Sequence, residues 1–149
     1  MHGERKSAMS TPLPSIYPFL RYEDPEAALR FLKQAFGFEE RAVYRSPDGA
    51  VAHAELTLGH GLIMFGGADS ANRMKMASSK QVPAKNQGVY IVVTDPDALF
   101  ARAKAAGAAI LMELTNTDYG SRDFSALDPE GNIWSFGTYQ PLAAPPPKG

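Results

Sequence analysis

Leu62-Ile63-Met64-Phe65-Gly66 returns near the end of the chain as Ile133-Trp134-Ser135-Phe136-Gly137, and Asp24-Pro25-Glu26 returns as Asp95-Pro96-Asp97. The separations agree, since 133 − 62 and 95 − 24 both give 71. One offset at both ends of a segment marks an internal duplication, which Asp-Pro alone would not. Each Asp can cap a helix whose first turn takes the proline, because proline has no N–H to lose there. In the first copy Ala28, Phe31, Leu32, Ala35 and Phe36 then recur at helical spacing, and Gly37 supplies the stop. Gly107 ends the second helix.

Strands surround each helix. Residues 16–22 and 39–45 read as strands, and Ser46-Pro47-Asp48-Gly49 is a turn leading into a second arm at 50–58. That arm alternates, with Ala52, Ala54, Leu56 and Leu58 on the core side and Val51, His53, Glu55 and Thr57 on the other. After Gly59-His60-Gly61 comes a short apolar strand at 62–66. Strands at 89–93, 109–114, 122–127 and 133–139 repeat the order. The expected fold is therefore α+β: tandem βαβββ modules at 16–66 and 88–139, packed about a pseudo-twofold axis into a curved mixed sheet with a concave cleft. Residues 67–87 read as a long connecting surface segment, with Met74 and Met76 available as a lid, and 1–15 and the proline-rich 140–149 read as tails.

Composition narrows the chemistry. A length of 149 residues suits one domain, and 44% hydrophobic with 21% charged residues suits a packed core. Fifteen basic against 16 acidic residues give a net charge of −1, with no excess to neutralise a phosphate backbone. Nucleic acid is not an expected partner. The absence of cysteine excludes disulfides, thiolate metal sites and cysteine nucleophiles. The longest apolar run, residues 105–112, is too short to span a bilayer, and the N-terminus lacks the apolar stretch of a signal peptide. A cytoplasmic protein without membrane partners is expected.

The duplicated βαβββ pattern, together with Gly120, Arg122, Asp123, Phe124, Asp128, Pro129, Gly131 and Asn132, resembles the glyoxalase / bleomycin resistance / dioxygenase (vicinal oxygen chelate) superfamily over residues 16–139, nearest to its bleomycin-resistance-like branch. Metalloenzymes of that superfamily place His, Glu or Gln ligands on the concave face, two from each module. Carried onto this chain, the first-strand positions fall on Tyr17 and on Gly88 or Val89, and the last-strand positions on Met64 and Ser135. None of these suits a divalent ion that favours imidazole or carboxylate. The resemblance thus implies a cleft and a homodimer whose two chains complete each other's clefts, while these residues imply no metal cofactor.

Strand alternation completes the expected lining. Tyr17, Phe19 and Arg21 share one face, as do His53 and Glu55, Tyr90 and Val92, and Arg122 and Phe124; with Met64 and Ser135 they form an aromatic cleft with a few charges. Such a cleft suits an antibiotic-like compound of small or medium size, hydrophobic and partly cationic, with Glu55 pairing an amine. Tyr119 and Arg122 would lie at its rim. His53 and Glu55 carry the alternative: a general acid/base or metal-dependent lyase, isomerase or dioxygenase of the same superfamily, in which a divalent metal would enter as cofactor. His60 reads as an exposed turn residue, Trp134 and Phe136 as core, Arg122 and Asp123 as an ion pair, and Asp128-Pro129-Glu130-Gly131 as a folding turn.

Overall fold

The computed structural model describes residues 13–67 and 75–143. Among them the first module comprises β1 (Phe19–Tyr22), α1 (Pro25–Phe36), β2 (Glu39–Arg45), β3 (Val51–Leu58) and β4 (Gly61–Gly67). A 3-10 turn (Ser79–Gln81) precedes the second module: β5 (Gly88–Val92), α2 (Pro96–Ala105), β6 (Ala109–Asn116), β7 (Arg122–Leu127) and β8 (Ile133–Gly137). The duplication read from the sequence is a duplicated topology. The two mixed four-stranded sheets run β1-β4-β3-β2 and β5-β8-β7-β6, with the first strand parallel to the last and the other pairs antiparallel.

The punctuation residues act as their chemistry requires. Asp24 Oδ1 accepts from the Ala27 N–H at 3.0 Å and Asp95 Oδ1 from the Ala98 N–H at 3.1 Å, satisfying one orphan donor at each helix start. Gly37 closes α1 at φ 83°, a left-handed conformation that glycine adopts without strain. β1 is shorter than the 16–22 expected from sequence. Pro18 has no N–H to pair, and only its carbonyl joins the ladder, accepting from Met64 N at 3.0 Å. β8 ends at Gly137 rather than at 139.

Both helices lie on one side of the sheets, and the core fills that side. Trp134, Tyr22, Phe36, Phe65, Phe124 and Phe136 are buried almost completely there. The modules share this core: the Phe36 ring lies 4.8 Å from Phe136 and 5.9 Å from Trp134, and Phe38 lies 5.7 Å from Trp134. Arg102 of α2 donates to the carbonyls of Gln34 and Lys33, capping the end of α1 across the module boundary.

A buried polar hub reinforces the junction. Asp128 Oδ2 accepts from Tyr22 Oη at 2.6 Å, Trp134 Nε1 at 3.0 Å and Asn132 Nδ2 at 3.0 Å, and Oδ1 accepts from the Glu130 and Asn132 N–H groups. The Glu130 carboxylate accepts in turn from the N–H groups of Glu23 and Asp24, at the start of α1. The turn read from the sequence as a folding turn thus fastens one module to the other.

Candidate functional site

The sheet faces turned away from the helices carry the candidate site. In the first module, register places Phe19 opposite Met64 and Met64 opposite Glu55, so the three form a row across β1, β4 and β3. Arg21 stands opposite Gly66 in the adjacent row. The Arg21 guanidinium reaches over Gly66 to donate to the Gly67 carbonyl at 2.6 Å. In the second module Tyr90 stands opposite Ser135 and Ser135 opposite Ser125, with the two serine hydroxyls 2.7 Å apart.

A groove of about 1130 Å³ runs between β1 and β5. Tyr17, Phe19, Arg21 and Tyr90 line it, joined by Met76, Ser78 and Lys85 from the connecting segment. Phe19 is 48% exposed and Tyr90 39%, a large apolar investment in solvent contact for residues on regular strands. Beside it, a recess of about 320 Å³ over the first sheet is lined by Phe19, Arg21, His53, Met64 and Met76. Ser78 fastens the connecting segment here: its Oγ donates to Glu23 Oε2 at 2.8 Å. Met74 and His2 lie outside the described residues.

Most of the expected lining thus converges: Tyr17, Phe19, Arg21, His53, Met64 and Tyr90 border the groove or the recess, and Glu55 and Ser135 share their faces. Arg122 and Phe124 do not. Phe124 is 1% exposed and packs between Phe136, at 5.1 Å, and Phe100, at 5.2 Å, in the helix-side core. Arg122 turns to the same side and pairs with Asp97 at the start of α2 at 2.7 Å, rather than with Asp123. That bond, the foremost cause, lowers the Asp97 carboxyl and raises the guanidinium from their usual ranges. The reason is register. Glu55 and its partner Met64 are nine residues apart, whereas Ser125 and its partner Ser135 are ten apart, so the offset of 71 shrinks to 70 on β7 and every side chain there changes face. Asp123 and Ser125, not Arg122 and Phe124, face the open side.

The charged groups are unequally engaged. Glu55 Oε2 lies 3.0 Å from His53 Nε2 and its Oε1 3.4 Å from Arg41, while the Tyr44 ring packs 5.9 Å from the His53 ring. His60 is exposed in its turn. Asp123 accepts from Ser121 Oγ and, at 3.2 Å, from Tyr119 Oη. Burial pushes the nearby Tyr90 phenol up, the Asp123 charge adds to this, and hydrogen bonding to Ser121 opposes it. Its hydroxyl donates to the Tyr139 carbonyl at 2.8 Å.

The positions to which the resemblance carries the superfamily's metal ligands hold Tyr17, Gly88 or Val89, Met64 and Ser135, and an aromatic, a glycine or valine, a thioether and a hydroxyl are a donor set that does not fit a divalent ion. Among the described residues no three His, Asp or Glu side chains gather closely enough to hold one. Nor is any described helix long and apolar enough to cross a membrane.

Two βαβββ modules of one topology thus meet along a groove. The chain belongs to the Glyoxalase/Bleomycin resistance protein/Dioxygenase superfamily, whose family model matches residues 16–136. It is 30% identical over 129 residues to an uncharacterized protein of Mycobacterium tuberculosis, covering 83% of this chain and 74% of that one. TioX from Micromonospora sp. ML1 shares the fold with a TM-score of 0.65 at 28% identity, covering 83% of this chain and 98% of TioX. A glyoxalase/bleomycin resistance protein/dioxygenase family enzyme from Burkholderia phytofirmans PsJN superposes with a TM-score of 0.62 at 27% identity, over 81% of this chain and 94% of the enzyme.

Proposed function

We propose that this protein binds a small or medium hydrophobic, antibiotic-like compound in the groove between its two sheets, without a metal cofactor. One observation carries the reading: Phe19 and Tyr90, from equivalent strands of the two modules, are held half-exposed in one groove of about 1130 Å³. Aromatic faces so placed stack on planar apolar ligands, and Met64 and Met76 supply polarizable, adaptable contacts. The protein acts as a cytoplasmic homodimer in this reading. Tyr44 and Met112, 58% and 61% exposed on the outer strands of the open faces, are the surface a second copy would cover. Sedimentation of the purified protein at dimer mass supports that part, and a monomer at all concentrations overturns it.

Titration of the full chain with 2-naphthol, followed by two-dimensional NMR, tests the binding. Resonances of Tyr17, Phe19, Met64 and Tyr90 shift on saturation, and Phe19→Ala weakens the affinity by about tenfold, the worth of one aromatic contact. Shifts absent from these residues would remove the proposal.

A second reading rests on His53 Nε2, 3.0 Å from Glu55 Oε2 beside the recess, a distance that permits proton transfer between them. In that reading the chain is an acid/base lyase or isomerase. Its measure is turnover that His53→Ala and Glu55→Gln both abolish.

A further inference from the structure

Asp123 lies on the open face of the second sheet, opposite Gly137 in register and on the same side as Ser125, Ser135 and Tyr90. Gly137 makes its placement possible. A Cβ built there would overlap the Asp123 carboxylate and approach Tyr90 Oη to 2.8 Å, so the missing side chain is the space in which the carboxylate lies. Three tyrosines stand around it: Tyr119, whose hydroxyl donates to Asp123 Oδ2 at 3.2 Å; Tyr139, whose ring meets that of Tyr119 edge-on at 5.7 Å and 80°; and Tyr90. These rings are 66%, 39% and 39% exposed.

We propose that Asp123, Tyr90, Tyr119 and Tyr139 form a receptor for an alkylammonium group on the bound compound. The inference rests on the groove-binding reading and adds to it where positive charge is read. Each Asp123 oxygen accepts one side-chain hydrogen bond, from Ser121 or from Tyr119, and a carboxylate has about four acceptor sites, so capacity remains on both. Among the described residues five ion pairs form within 4.0 Å, and none includes Asp123. Glu55, the carboxylate expected to take an amine, is already engaged by Arg41 and His53. Negative charge repels anionic ligands, while ring faces and a carboxylate together attract a cation whose alkyl shell is apolar. Tyr90 borders both this cluster and the groove, so an amine seated at Asp123 leaves the apolar body of the same compound against Tyr90 and Phe19.

The test uses the full chain, with choline as the cationic probe and 3,3-dimethyl-1-butanol as its uncharged isostere, each followed by NMR. Wild type binds choline about tenfold more tightly than the isostere, with shifts at Asp123, Tyr119 and Tyr139, and Asp123→Asn erases the preference. Tyr119→Leu, at an exposed position that folding tolerates, weakens choline about threefold. Equal binding of the two probes, or choline binding untouched in both variants, overturns the receptor. Binding of 2-naphthol by wild type separates the two readings. If naphthol binds in the groove and choline shows no preference, only the ammonium receptor falls; if neither binds, both fall.

Discussion

Tyr22 Oη donates a 2.6 Å hydrogen bond to Asp128 Oδ2, joining the last residue of β1 to the turn before β8 across 106 residues of chain. Tyr22 is fully buried and Asp128 is 5% exposed. Replacing Asp128 by alanine strands the Tyr22 hydroxyl, the Trp134 indole N–H and the backbone donors of the turn, at about 1–3 kcal/mol for each buried group that finds no water. Asp128→Ala is expected to lose about 3–5 kcal/mol in urea unfolding. A loss under 1 kcal/mol would show that the hub does not hold the modules together.

The same bond sets an alkaline limit. Burial first, and then the Asp128 charge and hydrogen bond, push the Tyr22 phenol well above its ordinary value of 10.0. The folded state thus holds this proton more tightly than the unfolded chain. The resulting stability is fully present below pH 10.0 and is lost as pH rises from there towards the raised folded value. Urea midpoints should fall as pH rises above 10.0 in wild type and fall less steeply in Tyr22→Phe. Parallel slopes for the two proteins would contradict this.

Gly66 is needed for space, not for conformation. A Cβ there would lie 2.7 Å from the Ala52 carbonyl oxygen, closer than real contacts allow, and within 3.9 Å of the Arg21 guanidinium. Gly66→Ala must push β4 away from β3 and is expected to cost about 1–3 kcal/mol. Because Arg21 lines the groove, naphthol affinity should drop with it, which titration of the variant checks.

The two helix caps are equivalent in geometry and should be equivalent in energy. Asp24→Ala and Asp95→Ala each remove one cap bond and are expected to destabilise the protein by about 1 kcal/mol. Thermal unfolding of the single and double variants measures this, and the distant sites should add.

Chelation addresses the cofactor. Protein dialysed against EDTA should bind 2-naphthol as tightly as untreated protein, and zinc, manganese, nickel or iron retained at one equivalent per chain would count against the metal-free reading.

The duplication, the helix starts and stops, and the faces of β1, β5 and β3 from His53 onward were legible because they depend on local chemistry. At the start of β3 an irregularity opposite Tyr44 and Arg45 exchanges the faces, so Val51, expected on the open side, is buried in the core and Ala52, expected in the core, is exposed. Asp-Pro caps a helix wherever it stands, and alternation from a strand's own residues decides which of them share a face. Met64 and Ser135 occupy matched positions because β4 and β8 keep the offset of 71. On β7 the same transfer failed. Register partners matched between the modules are separated by one residue more across β7 and β8 than across β3 and β4, and a slip of one residue exchanges the two faces of a strand, sending Phe124 and Arg122 to the helix side and Asp123 to the open side.

The sequence by itself determined two βαβββ modules and the aromatic residues of the surface between them, since these follow from periodicity and from residues that stop or start an element. Only the tertiary structure decided that Asp128 bridges the modules, that Glu55 is already paired and that Asp123 lies among three tyrosines. Those relations join residues brought together by strand register and packing, and register depends on the length of a turn, which the composition of either strand does not encode.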